Sequence, residues 1–166
     1  FPEGEVRPMG RMAAGVRGIS LDNDDDRVVG MVCLNGTDET LLVVSENGYG
    51  KRSSIEEYRI TRRGGKGVKT LNVTNKTGKL VTVEKVADSD DLMIINKSGI
   101  MIRTPVSDLR VMGRATQGVR LIRLNDDDSI TSVTKVAIVD ELEEEEVNTE
   151  TKNEDNNETN INSETD

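Results

Sequence analysis

The stretch Leu41-Leu42-Val43-Val44-Ser45-Glu46-Asn47-Gly48-Tyr49-Gly50-Lys51-Arg52 reads as an apolar strand, an Asn-Gly turn and a returning strand. It recurs as Asp91-Leu92-Met93-Ile94-Ile95-Asn96-Lys97-Ser98-Gly99-Ile100-Met101-Ile102-Arg103-Thr104, with Gly99 standing 51 residues after Gly48. A second element alternates with these hairpins. Its copies are Gly10-Arg11-Met12-Ala13-Ala14-Gly15-Val16-Arg17-Gly18-Ile19-Ser20-Leu21, Arg62-Arg63-Gly64-Gly65-Lys66-Gly67-Val68-Lys69-Thr70-Leu71-Asn72-Val73 and Gly113-Arg114-Ala115-Thr116-Gln117-Gly118-Val119-Arg120-Leu121-Ile122-Arg123-Leu124. The shared glycines Gly15, Gly67 and Gly118 lie 52 and 51 residues apart. Apolar and polar positions alternate after the first and last of them, at 16–21 and 119–124, which predicts a further strand with one apolar face. No window sustains a helical period, and β-branched residues dominate the apolar positions. The expected fold is all-β, built from propeller-like blades of about four short antiparallel strands.

The repeat sets the organisation. Phe1-Pro2 aligns with Thr104-Pro105, just past a returning hairpin strand, so the first unit lacks its hairpin. Residues 1–34 read as a partial blade, 35–86 and 87–139 as blades, about two and a half in all. A closed ring needs at least about four, so the expectation is the end of a longer polypeptide rather than an assembly of several chains. Residues 140–166 differ sharply, with 12 acidic residues and one basic, whereas 1–139 has 21 basic and 19 acidic. After Leu142 the only aliphatic side chains are Val147 and Ile161. Such a segment cannot offset an ordering cost of about 1–2 kcal/mol per residue and is expected to be a disordered acidic tail.

Composition removes several function classes. Histidine is absent and Cys33 is the only cysteine among 166 residues. That excludes an internal disulfide and a Cys-based zinc site, removes the usual general base near pH 7, and argues against catalysis within this chain. Cys33 follows Met31-Val32 and is expected to be a small core residue. No apolar run approaches the about 18 residues of a membrane span, and no signal peptide is visible. Asp22-Asn23-Asp24-Asp25-Asp26 and Asn125-Asp126-Asp127-Asp128 lack the glycine and terminal Glu of an EF-hand. Their middle counterpart, Thr74-Asn75-Lys76-Thr77, carries a lysine, so all three read as polar turns. The 62–67 loop lacks the spacing and the Ser/Thr of a Walker A loop.

The informative residues are the recurrent cations. Arg11, Arg63 and Arg114 stand four before the common glycines, and Arg17, Lys69 and Arg120 two after them; Arg7, Arg59 and Arg110 recur eight before. One cation per blade at a fixed place makes a charged rim, and duplex DNA carries one negative charge per about 1.7 Å. The glycines would let main chain approach phosphate closely. The candidate phosphate contacts are therefore Arg11, Arg17, Arg62, Arg63, Lys66, Lys69, Arg114 and Arg120. The competing reading is structural: glycines for turns, arginines paired with nearby carboxylates. Tyr49 and Tyr58 are too few for a platform that stacks single strands. A flexible tail of this length reaches roughly 30 Å, far enough to compete with DNA for the rim.

At these residues the chain resembles the C-terminal domain of bacterial DNA gyrase A. The resemblance rests on Met9-Gly10 to Gly15-Val16-Arg17-Gly18-Ile19, on Asn47-Gly48-Tyr49-Gly50-Lys51-Arg52 and on Gly113-Arg114 to Thr116-Gln117-Gly118-Val119. It covers 1–139 and implies the last blades of a β-pinwheel that binds and wraps duplex DNA without sequence specificity, in support of ATP-dependent negative supercoiling. The family's seven-residue box reads Gln, basic, Arg, Gly, Gly, basic, Gly; here Thr61 replaces the Gln, so 61–67 is read as a sister loop, with the true box expected upstream. The resemblance implies duplex DNA, the rest of gyrase A and the gyrase B protein as partners, a heterotetrameric parent, no membrane and a cytoplasmic location. It implies no catalytic residue, metal or cofactor in this chain, the ATP and Mg of the parent enzyme belonging to its other regions. Two alternatives remain open, the corresponding topoisomerase IV domain and a propeller-like protein-interaction module with a basic rim.

Overall fold

Seven strands and three short 3-10 turns make up the regular structure of the computed structural model, which describes residues 1–35 and 39–137. β1 (Thr40–Ser45) and β2 (Tyr49–Ser54) form the first hairpin, paired Leu42 to Arg52 and Val44 to Gly50. The amide of Gly48 donates to Ser45 O at 3.1 Å and Gly48 has φ +79°. The loop is therefore three residues, a turn closed by a left-handed glycine, rather than a two-residue Asn-Gly turn. β3 (Leu80–Val86) pairs antiparallel with β1. The second hairpin joins β4 (Asp90–Asn96) to β5 (Met101–Pro105), with Ile94 opposite Ile102 and Gly99 at φ +85°. β6 (Val119–Arg120) and β7 (Ile130–Ala137) complete the set.

The sheets do not follow the repeat boundaries. One has the order β3-β1-β2-β6 and the other β5-β4-β7. The fourth strand of the first sheet thus comes from the following repeat, where Tyr49 faces Arg120 and Gly50 faces Val119. The expected four-stranded blade exists, but a single 51-residue unit does not supply all of it.

One apolar core lies between the two sheets. Leu42, Val44 and Val86 from the first meet Leu92, Ile94, Ile130 and Val133 from the second, with Val106 and Leu109 alongside. Full burial of each such side chain stabilises by roughly 1.5–3 kcal/mol. Ile130 N donates to Glu46 O at 2.8 Å, tying β7 to the first hairpin loop.

The first 35 residues hold no strand, only the 3-10 turn Glu3–Glu5. The strand expected at 16–21 is therefore not formed, and Val16, Ile19 and Leu21 are exposed. Cys33 is exposed as well, not a core residue, because no second layer covers its segment among the described residues. The acidic segment 140–166 lies outside the described residues. Among those described, no helix is long and apolar enough to cross a membrane.

Candidate nucleic-acid interface

Each repeat carries a 3-10 turn that periodicity did not reveal, because three residues are too short to show a period. The turns are Glu3–Glu5, Ile55–Glu57 and Val106–Asp108, 52 and 51 residues apart, each ending in an acidic residue. Two of those carboxylates reach the glycine-basic loop of the next repeat. Glu5 Oε2 accepts from Arg63 N at 2.7 Å, and Glu57 Oε2 accepts from Arg114 N at 2.6 Å.

The arginine side chains repeat as well. Arg63 Nη1 donates to Arg17 O at 2.8 Å, and Arg114 Nη1 donates to Lys69 O at 2.5 Å. Arg63 Nε also donates to Glu5 O at 3.1 Å. A third contact recurs: Ser20 N donates to Gly65 O at 3.0 Å and Asn72 N to Thr116 O at 3.1 Å. Successive glycine-basic loops are thus joined edge to edge by one bonding pattern used twice. The cations four before one glycine and two after the preceding glycine become neighbours, Arg63 beside Arg17 and Arg114 beside Lys69.

The eight candidate residues divide accordingly. Arg63 and Arg114 are half-buried, with donors committed to the preceding repeat. Arg11, Arg17, Arg62, Lys66 and Lys69 are exposed along the same series of loops, and Arg120 is exposed on β6. Lys66 Nζ lies 2.5 Å from Asp22 Oδ1, a solvent-exposed pair that salt weakens. The hydrogen bond to Asp22 and its charge raise the Lys66 ammonium above the usual lysine value.

Arg120 stands apart from the loop edge. Its Nη2 donates to Tyr49 Oη at 2.9 Å, and its guanidinium carbon sits 5.4 Å from the ring centroid, with Lys76 Nζ at 5.3 Å. The Arg120 hydrogen bond, ahead of an opposing desolvation, lowers the Tyr49 phenol below its ordinary value, and the charges of Arg120 and Lys76 act in the same direction. Tyr49 is mostly buried and serves as a cation platform rather than a base-stacking surface.

Two further cations of the first hairpin are structural. Lys51 is 1% exposed, and its ammonium donates to Gly113 O at 2.5 Å and to Arg114 O. Burial pushes it below the usual lysine value, Glu57 opposes that shift, and Arg114 adds to it. Arg52 donates from Nε to Leu109 O and from Nη1 to Asp88, while its own carbonyl accepts from Met112 N at 2.8 Å. Together Lys51 and Arg52 anchor the approach to the third loop from below.

The glycines have a conformational role. Gly118 has φ +78°, and a Cβ there would stand 2.5 Å from Gly50 O, so only glycine lets β6 reach β2. The aspartate-rich segments close turns by hydrogen bonding. Asp26 Oδ2 accepts from the amides of Asp22 and Asn23. Asp128 accepts from Asn96 Nδ2 at 2.6 Å, from Ser98 Oγ at 2.9 Å and from Ser129 N at 2.9 Å. Desolvation alone would raise the Asp128 carboxyl; the bonds from the Ser98 hydroxyl and from the amides of Ser129, Ser98 and Lys97 outweigh it and hold the group below its ordinary value.

Residues 1–35, 39–87 and 90–137 match the family described as DNA gyrase C-terminal domain, beta-propeller. The DNA gyrase A protein of Staphylococcus aureus strain NCTC 8325 / PS 47 is 48% identical over 159 residues, covering 93% of this chain and 18% of that protein. In strain MRSA252 the same protein is 49% identical over 138 residues, covering 82% and 15%. The chain therefore spans less than a fifth of the length of these curated relatives. A solved DNA gyrase A C-terminal domain superposes with a TM-score of 0.73 at 30% identity, over 82% of this chain and 45% of the other. A C-terminal domain of DNA topoisomerase IV superposes at 0.78 with 24% identity, over 90% and 46%, a likeness of fold alone.

Proposed function

Because the chain belongs to the DNA gyrase C-terminal domain family, we propose that its joined basic loops bind duplex DNA by the phosphate backbone, without sequence specificity, and bend it. The observation that supports this reading is the edge-to-edge series of loops. One bonding pattern, used twice, sets Arg17, Arg62, Lys66 and Lys69 outward along consecutive repeats while Arg63 and Arg114 hold the loops together. Exposed cations on a rigid edge suit a polyanion whose charges are regularly spaced, and they need no base edge to act on. Arg63 and Arg114 have further guanidinium donors that a phosphate could use, but their first role is to align the others.

In the parent enzyme this edge would contribute to DNA wrapping and so to ATP-dependent negative supercoiling, with the rest of gyrase A and the gyrase B protein as partners and a cytoplasmic location. ATP and its Mg would be held by those other regions. Salt titration with duplex DNA tests the binding step. About six phosphate contacts give a log-log slope near −5. Replacing Arg62 and Lys66 by Ala should weaken binding to all duplex sequences alike and flatten the slope by about 2. Sequence-dependent losses would mean base readout instead, and affinity indifferent to salt would favour a protein-interaction module.

A further inference from the structure

We propose that Glu57, and Glu5 at the equivalent place one repeat earlier, are positioning residues that set the step between successive basic loops and hence the curvature imposed on bound DNA. This deepens the function proposed above and rests on it.

Both carboxylates end a 3-10 turn, and both accept from the backbone amide of the arginine four residues before the shared glycine of the next repeat. The tie is therefore to main chain, which moves the whole loop rather than one side chain. A carboxylate accepting from an amide forms a charge-assisted bond, stronger than a neutral one. The same arginine then donates to the carbonyl of the cation in the preceding loop. Carboxylate, arginine and carbonyl form a closed clamp between adjacent repeats, and its occurrence twice in one chain is an internal replicate.

Affinity and curvature depend on different properties of such an edge. The number of cations fixes how many counterions are released, whereas their spacing fixes the path the backbone must follow to meet them. Loss of the clamp removes no cation. It should leave affinity nearly intact and relax the bend. Glu56 supplies the control: it carries the same charge one residue earlier, is exposed, and accepts nothing from the loop among the described residues.

The experiment uses the 166-residue chain with Glu57→Ala, Glu57→Gln and Glu56→Ala. Duplex affinity is measured across salt, and energy transfer is measured between the labelled ends of a short duplex saturated with protein. The expected result for Glu57→Ala is an unchanged salt slope, a Kd within about threefold of the parent, and a clear fall in end-to-end transfer. Glu57→Gln, whose amide oxygen can still accept from Arg114 N, should recover part of the bend, and Glu56→Ala should match the parent.

Equal transfer for Glu57→Ala and the parent, or equal changes in Glu56→Ala and Glu57→Ala, would overturn the proposal. So would a parent complex that leaves the duplex straight. Where Glu57→Ala lowers the thermal midpoint, Glu5→Ala carries the same test, because its turn holds no buried residue and contributes none to the core. A parent chain without salt-dependent duplex binding would instead defeat the function on which the proposal rests, a distinct result.

Discussion

The segments after Gly118 and Gly15 share a glycine, a basic residue two positions on, and an apolar residue two positions after that, yet only the first is part of a sheet. Val119 and Arg120 pair with Gly50 and Tyr49, and Leu121, Ile122 and Leu124 pack against the core. Val16, Ile19 and Leu21 have no such partner and remain exposed, Ile19 at 43%. The segment after Gly67 is intermediate: it forms no strand, but Leu71 is only 4% exposed. The difference follows the hairpins. The segment at Gly118 docks on the hairpin of Gly48, two hairpins upstream, whereas no hairpin among the described residues stands in that relation to Gly67 or Gly15. Alternation in the sequence marks a strand that can form; a neighbouring edge determines whether it does.

The most severe way to break that contrast is Gly118→Val. The left-handed φ and a Cβ 2.5 Å from Gly50 O should together cost about 3 kcal/mol or more in a urea titration. Gly15→Val meets nothing within 4 Å at a similar φ of +82° and should cost only the backbone strain, about 1–2 kcal/mol. Equal losses would mean that the β2–β6 contact is incidental.

A smaller effect is expected between the two hairpins. Lys51 and Ile102 occupy equivalent places 51 residues apart, one anchoring a loop and the other packing partly buried against the core. Lys51→Met should cost about 1–3 kcal/mol by leaving the Arg114 carbonyl unpaired, Gly113 O keeping its bonds from Thr116, and should speed amide exchange at Arg114 and Thr116. Ile102→Met should cost less than about 1.5 kcal/mol and leave that loop unchanged.

What the sequence made legible follows from range. The hairpins at 41–52 and 91–104 were readable because an apolar strand, a turn and a returning strand lie within 14 residues. The equivalence of Arg63 and Arg114 was readable from spacing, and their matching contacts agree with it. Their commitment to inter-repeat bonds was not, since the partners lie 46 and 45 residues away. A signal existed nonetheless: Glu5, Glu57 and Asp108 recur at the repeat period. Lys51 and Arg52 read as polar strand residues, and only the three-dimensional approach of the 109–114 segment buries them.

The turn contacts provide a pH-dependent difference. Asp128 titrates below the ordinary 3.8 when folded, so the folded state resists its protonation. Its stabilising contribution is present above that value and is lost as pH falls through the lower folded one. Asp128→Asn should therefore lower the urea midpoint at neutral pH, with the gap to the parent closing in strong acid. The smallest expected effect concerns 140–166. Truncation after Val139 should tighten duplex binding at low salt, with the gain shrinking as ionic strength rises. Equal affinities at low salt would leave that segment only a solubilising role.

The strand borrowed from the following repeat also has a consequence in time. Tyr49 and its partner Arg120 are 71 residues apart, and a ribosome adds roughly 5–20 residues per second. The outer edge of β2 therefore waits roughly 4–14 s during synthesis before the strand that covers it has been made. An uncovered edge is a site for unwanted pairing with other nascent chains. Tyr49 and Gly50 pair with the late strand and Arg52 with Val111, so this edge is covered only once the following repeat has been made.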